Sequence, residues 1–233
     1  ENIPFEHIEL ALNIHDGAEE CVKTLGITWI PKADVISIKT LWDAPAKVTK
    51  RTVLSDVAHI FDPIGLVSPV TIIARIFIQE LWKLKFDWDV QLDSTLAGKW
   101  LKFRHNLKLL NKITIPRRMT MHDTVGNIQL HSFSDASEKA YGSVIYMRSV
   151  NSQGEVKVAL MCSKARVTPT KILTIPRLEL QAAKLSAQLC NRIKEVIQQP
   201  EIGIYYWTDS EIVLCWLHAE SASLNTFVAN RIS

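Results

Sequence analysis

Cysteine is scarce in this sequence: Cys21, Cys162, Cys190 and Cys215 are scattered, and no two form a Cys-x-x-Cys pair. A structural zinc site needs clustered thiolates or imidazoles, and the histidines also lack metal-ligand spacing, so such a site is not expected. No secretory signal opens the chain, so free thiols and an intracellular location are the expectation. Nor does any window reach the roughly 18 uninterrupted apolar residues of a membrane span. The run from Val67 to Ile78 is short and carries Arg75, which marks a core helix. Glycine is sparse, and no Gly-rich loop able to cradle phosphates is present.

What remains is a composition that builds cores. Apolar residues make up 47% of the chain and charged ones 22%, which argues against disorder. The net charge of +3 permits a nucleic-acid partner without arguing for one. Residues 20–42 read as a β-hairpin whose β-branched strands are separated by Pro31-Lys32-Ala33. From 48 the period becomes helical. A first amphipathic helix ends before Asp62-Pro63, with Gly65 suited to its exit. Ser68-Pro69 supplies an N-cap and first-turn proline for a second, and a third spans about 94–110 with Leu96, Trp100, Phe103, Leu107 and Leu110 on one stripe. Trp82, Trp88 and Trp100 are expected in that core. A connector over 113–125 leads to three strands, a long helix over about 176–198, a fourth strand "IGIYYWT" and a short helix. The expected class is mixed α/β (α+β): a small helical domain over 47–125 after a hairpin, then a mixed five-stranded-type sheet with flanking helices over 126–233, truncated at its C-terminal end.

Three carboxylates stand out. Asp135 ends an apolar strand, Glu179 lies in the first turn of the long helix, and Asp209 follows "IYYWT". Singly, each has an ordinary explanation: a turn former, an acid at the positive end of a helix, and a helix cap. Together they say more. If the first and fourth strands of the sheet are parallel neighbours, their ends lie ~5 Å apart. A helix packed on the sheet can bring Glu179 to the same edge. Converging acids repel unless a cation sits among them, and oxygen ligands without His or Cys favour Mg²⁺. Two such ions ~4 Å apart would serve in-line phosphodiester cleavage.

"SFSDASEKAYGSVIY", "TIPRLELQAA" and "YYWTDSEIVLCWL" resemble the three carboxylate blocks of the ribonuclease H domain of BEL/Pao-type LTR retrotransposons. Upstream, "LGITWIPKAD", "KRTVLSDVAHIFDPIGLVSPV" and "QELWKLKFDWD" resemble the same Pol polyprotein after the reverse-transcriptase palm. The resemblance covers nearly the whole chain. It implies a ribonuclease H-like fold, with Asp135, Glu179 and Asp209 as catalytic, metal-binding acids for two Mg²⁺ (or Mn²⁺) ions. It implies an RNA–DNA hybrid or template–primer duplex as partner, and residues 1–46 as the end of the palm. The 47–125 stretch would be thumb- or connection-like. It also places a fourth acid, in an Asn-Pro-Ala-Asp block, beyond Ser233, and the polymerase's own aspartates upstream, so a piece of a longer polyprotein is expected. A cytoplasmic retroelement particle, or the nucleus, would be its location.

The family that this stretch resembles is also called the Pao retrotransposon peptidase family, but aspartic peptidases of the retroviral type need Asp-Thr/Ser-Gly. Asp16-Gly17 lacks the middle residue and Asp209-Ser210 is followed by Glu211, so peptidase chemistry is the weakest alternative. Basic residues supply the remaining signal. No acid lies between Asp93 and Asp123, where Lys99, Lys102, Arg104, Lys108, Lys112, Arg117 and Arg118 fall. A single-signed stretch suits phosphate contact better than a mixed solvated face. Lys164, Arg166, Lys171 and Arg177 form a second set near the acids and would position a duplex without reading its sequence. A non-catalytic nucleic-acid-binding remnant is the alternative function. Tyr206 and Trp207 are read as strand packing, and His131 as packed or exposed.

Overall fold

β-branched residues on either side of a Pro31–Ala33 turn pair as β2 (Ile27–Ile30) and β3 (Val35–Ile38), with Asp34 in the left-handed region at φ 49° closing the turn. β1 (Val22–Thr24) joins on one side. The computed structural model describes residues 22–24, 27–38, 40, 47–60, 62–197 and 202–232, and the remaining hairpin positions expected over 20–42 lie outside them. The expected connector contributes a strand of its own: β4 (Thr114–Pro116) runs antiparallel to β3, and the Arg117 amide donates to the Asp34 carbonyl.

Three helices follow. α1 (Lys50–His59) starts at a reciprocal capping box between Thr49 and Thr52, which satisfies amides the helix cannot pair internally. α2 (Ser68–Lys83) carries Pro69 in its first turn. Ser68 is helical and does not cap α2; upstream, the Asp62 carboxylate accepts from the amides of Leu66 and Val67. α3 (Ser94–Leu107) is capped by Asp93 and tightens into a 3₁₀ turn over Lys108–Lys112. Val53, Ala74, Phe77, Leu81, Leu96 and Trp100 form their core. Trp82 and Trp88 do not belong to it: they are 52% and 38% exposed, meet edge to face, and bracket the buried Lys50 ammonium, 3.2 Å above the Trp82 ring. The amphipathic rings cover a cation that needs a partner.

The second sheet consists of β5 (Gln129–Ala136), β6 (Ala140–Val150), β7 (Val156–Val167) and β8 (Gly203–Trp207), in the order β7-β6-β5-β8. β5, β6 and β7 are antiparallel, and β8 is parallel to β5, so the sheet is mixed, with four strands among the described residues in place of five. α4 (Ile175–Ile197) connects β7 to β8 and covers one face, its Cys190 packing with Leu130, Ile145 and Met147. α5 (Glu211–His218) and α6 (Thr226–Ile232) pack on α4 through Leu180, Val213 and Val228.

The helical segment is seated directly on β7. The Ser163 amide donates to the Ile64 carbonyl, and its hydroxyl donates to the Gly65 carbonyl. Gly65 has φ +76°, and a Cβ there would lie 1.8 Å from the Ser163 oxygen, so only glycine allows this approach. Along α2, Arg75 and Gln79 donate to the carbonyls of Ala165 and Thr168. Leu160 of β7 packs into a core otherwise built by the helical segment and the first sheet.

Candidate metal centre

Strand alternation positions the first acid. Leu130, Ser132 and Ser134 of β5 are buried, so Phe133 and Asp135 face the side opposite α4. Phe133 pairs in parallel with Trp207, so Asp135 and Asp209 each lie two residues past a paired position, at one edge of the sheet. Glu179 comes from the other layer. It is the fifth residue of α4 and opens its second turn, one position deeper than the first turn. It is 7% exposed, whereas Asp135 and Asp209 are exposed.

Carboxylate oxygens of Asp135, Glu179 and Asp209 lie within 4.8 Å of one another. One backbone group ties two of them together: the Ala136 amide donates to Asp135 Oδ1 at 2.7 Å and to Glu179 Oε1 at 3.2 Å. Glu179 Oε2 is buried without a hydrogen-bond partner. Burial raises the Glu179 carboxyl above its ordinary value, the neighbouring Asp135 and Asp209 charges push the same way, and the Ala136 amide partly offsets them. A buried acceptor without a donor, on a residue whose carboxylate lies beside two others, suits a ligand set for a hard cation. The all-oxygen donor set fits Mg²⁺ or Mn²⁺ and does not fit a thiolate-seeking ion.

Beside the acids runs a groove of about 680 Å³, floored by Val144, Phe133 and Trp207 and walled by Ser68, Pro69 and Ile72 of α2. Trp207 is about half exposed, not packed between layers, because among the described residues no helix covers the β5–β8 part of the face that it shares with Phe133; Tyr206 lies on the other face, beside Cys190 of α4, and is half exposed on the edge strand β8. In place of layer packing, the rings stack sideways: Trp207 lies on Phe133 at 5.9 Å, and its indole N–H donates to His131 Nδ1. His131 is stacked on Tyr205 at 5.0 Å.

The cations read from the sequence separate into two groups. The stretch without acids does not become a surface of one sign, because carboxylates arrive from other elements. Lys99 pairs with Glu80 at 2.7 Å, Arg104 with the buried Asp56 at 3.0 Å, and Arg117 with Asp34. Arg118 donates to the carbonyls of Thr120 and Met121 and contacts His122. Lys102 and Lys108 are exposed. Lys164 and Arg166 lie on β7 opposite Ser143 and Tyr141, and Lys164 lines the groove that holds Asp135 and Asp209. Arg177, two residues before Glu179, has its guanidinium over the ring of Phe227 in α6. Sequence reasoning missed α6 altogether; its seven residues, with Asn225 accepting from the Val228 amide, carried too short a period to be seen.

Two solved structures resemble the chain at low similarity. One is the foamy viral protease-reverse transcriptase dRH in complex with ds DNA (14% identity, 84% of this chain and 32% of that chain covered, TM-score 0.44). The other is the foamy viral protease-reverse transcriptase in complex with dsDNA (14% identity, 84% and 38% covered, TM-score 0.41). The chain spans about a third of the length of each. No curated protein matches it. The profile of the Pao retrotransposon-like RNaseH-like domain matches residues 49–210, from the cap of α1 to the residue after Asp209, and the chain belongs to that family.

Proposed function

We infer that this chain is the ribonuclease H-like part of a retroelement Pol polyprotein, of BEL/Pao type, and that it hydrolyses the RNA strand of RNA–DNA hybrids with divalent metal. The observation that carries this reading is the convergence of Asp135, Glu179 and Asp209, with the buried Glu179 Oε2 left without a partner. These three residues would hold Mg²⁺, which supplies an activated water and stabilises the leaving oxygen of an in-line displacement. The protein's contribution is placement. β5 and β8 fix the two aspartates at one edge, α4 brings Glu179 up from the opposite face, and the Ala136 amide locks the Asp135–Glu179 spacing. Lys164, Arg166 and Arg177 would contact the phosphates of the strand beside the acids, with Lys102 and Lys108 further out; A-form-like shape and 2′-hydroxyls would mark the RNA strand. In this reading residues 1–46 close the palm, 47–125 form the thumb- or connection-like part, and the protein works in a cytoplasmic retroelement particle.

The test pairs metal binding with cleavage. Mn²⁺ titration of the chain, followed by electron paramagnetic resonance, is expected to show bound ion in the wild type and its loss in Asp135→Asn. The parent polyprotein is expected to cut a labelled hybrid in Mg²⁺ and to lose at least about a thousandfold in rate with the same substitution. Hybrid that is bound but cut equally well by the variant, or cut by neither protein, refutes the nuclease reading; the latter outcome makes the chain a binding module.

A further inference from the structure

Arg177 is electrostatically misplaced as a structural residue. It sits in the first turn of α4, at the positive end of a 23-residue helix, where a cation is disfavoured and an anion is stabilised. Among the described residues no carboxylate pairs with it. What holds it is a ring: its guanidinium carbon lies 4.9 Å from the centroid of Phe227. A second guanidinium, that of Arg231, lies 3.6 Å from the same centroid. Two like charges therefore converge on one aromatic side chain.

The two arginines are used differently. Arg231 donates through one terminal nitrogen to the Phe227 carbonyl, and its Nε and other terminal nitrogen face the Gln181 side-chain oxygen in its satisfied orientation. It fastens α6 to α4, as does Lys184, which donates to the Asn230 carbonyl. Phe227, so anchored, offers its ring to Arg177. Stacking restrains a guanidinium in the plane of its face and leaves its N–H edge open, which is the edge that binds a phosphate in bidentate fashion. Arg177 lies two residues before Glu179 on α4, so the two side chains leave the helix on different sides.

We propose that Phe227 is a positioning residue for nucleic acid: it holds the Arg177 guanidinium against α6 so that its N–H edge receives a backbone phosphate of the bound duplex, on the α6 side of α4. The convergence of two cations that make no ion pair among the described residues is then completed by the phosphodiester. α6, remote in sequence from the metal ligands, becomes part of the substrate platform. This inference rests on the reading of the chain as a hybrid-binding nuclease.

The test is equilibrium binding of a labelled RNA–DNA hybrid to the full chain by fluorescence anisotropy, without divalent ion so that no cleavage intervenes, across a range of KCl. Arg177→Gln is expected to weaken binding roughly tenfold and to make the slope of log K against log salt shallower by about 0.7 to 0.9, one phosphate contact. Phe227→Leu keeps apolar volume while removing the ring; it is expected to weaken binding about three- to fivefold with the same change in slope. The double variant should bind no worse than Arg177→Gln, because both act through one contact. Phe227→Trp, which preserves the stack, should restore the wild-type slope. A Phe227→Leu chain that melts lower yet keeps affinity and slope overturns the inference, as does a double variant whose losses multiply. Salt-sensitive wild-type binding with unaffected variants sinks this inference alone. A wild type that shows no salt-sensitive hybrid binding sinks the nuclease reading and this inference with it.

Discussion

Replacing Glu179 by Gln should make the metal-free protein more stable. In the native chain a carboxylate 7% exposed has one amide donor at 3.2 Å, and its second oxygen has none. An unsatisfied buried acceptor costs about 1–3 kcal/mol. Each neighbouring carboxylate, with oxygens within 4.8 Å, adds roughly 1 to 3.5 kcal/mol for effective dielectrics between about 80 and 20. Asp135 and Asp209 are exposed, so solvent screening puts their share at the lower end. Glutamine removes the repulsion and keeps a buried amide, leaving an expected gain of about 1–2 kcal/mol, or about 2–8 °C in melting temperature. The sign with pH follows from the raised Glu179 carboxyl. Its ionised form is disfavoured in the fold, so native stability is fullest below the ordinary value of 4.5 and falls as pH rises through the folded value. The advantage of the variant should therefore be greatest above neutrality and vanish below about pH 4.5. Divalent ion should reverse the order: at about a hundred times its dissociation constant it stabilises the wild type by about 2.7 kcal/mol, which exceeds the advantage of a variant that binds it far more weakly. Thermal melts in EDTA and in Mn²⁺, from pH 4 to 8, measure all of this. A variant less stable than wild type in EDTA at pH 8, or equal stabilisation of both by metal, refutes the argument.

Two further outcomes test the scaffold. Asp56→Ala leaves the guanidinium of Arg104 and the indole N–H of Trp100 without their shared acceptor, both now bonded to Asp56 at 3.0 Å. With the Arg104 and Asp56 side chains only 10% and 11% exposed, the loss should be about 3–5 kcal/mol in urea unfolding, and a loss below about 1 kcal/mol would show the pair to be incidental. Gly65→Ala should cost more than about 2 kcal/mol, since its Cβ would meet the Ser163 carbonyl at 1.8 Å, and should raise hydrogen exchange at the Ser163 amide. Unchanged exchange there would mean that the helical segment does not depend on this seat.

Much of this architecture was legible because it is locally encoded. Alternation over Gln129–Ala136 and a 3.6-residue period over Ile175–Ile197 survive in any context, and they carry Asp135 and Glu179 with them. Asp209 followed from its place at the end of a short apolar strand. What escaped depends on partners distant in sequence. The absence of acids between Asp93 and Asp123 says nothing of Asp34, Asp56 and Glu80, which neutralise Arg117, Arg104 and Lys99 from other elements. Helical spacing placed Trp82 inside, but Lys50 needed its ring at the surface. Gly65 read as the exit of a helix; its conformation is instead required by a strand nearly a hundred residues later, with which it shares a hydrogen bond. The apolar stripe of α4 runs on through Ile193 and Ile197, which pack against the sheet core, whereas Val196 falls beside it and is 81% exposed.

The seat of the helical segment on β7 also governs how this sheet meets other chains. An open sheet has two rims of unpaired amides and carbonyls, each a template on which a stray strand can grow. Here the β7 rim is occupied at Ser163 by the Ile64–Gly65 loop and at Ala165 and Thr168 by side chains of α2. The other rim is β8, only five residues long. The C-terminal half of the β7 rim is thus closed to a foreign strand, and β8 offers a span too short to hold one firmly. The loop that fixes the helices doubles as a guard against self-association during folding, when strands are most at risk of pairing wrongly.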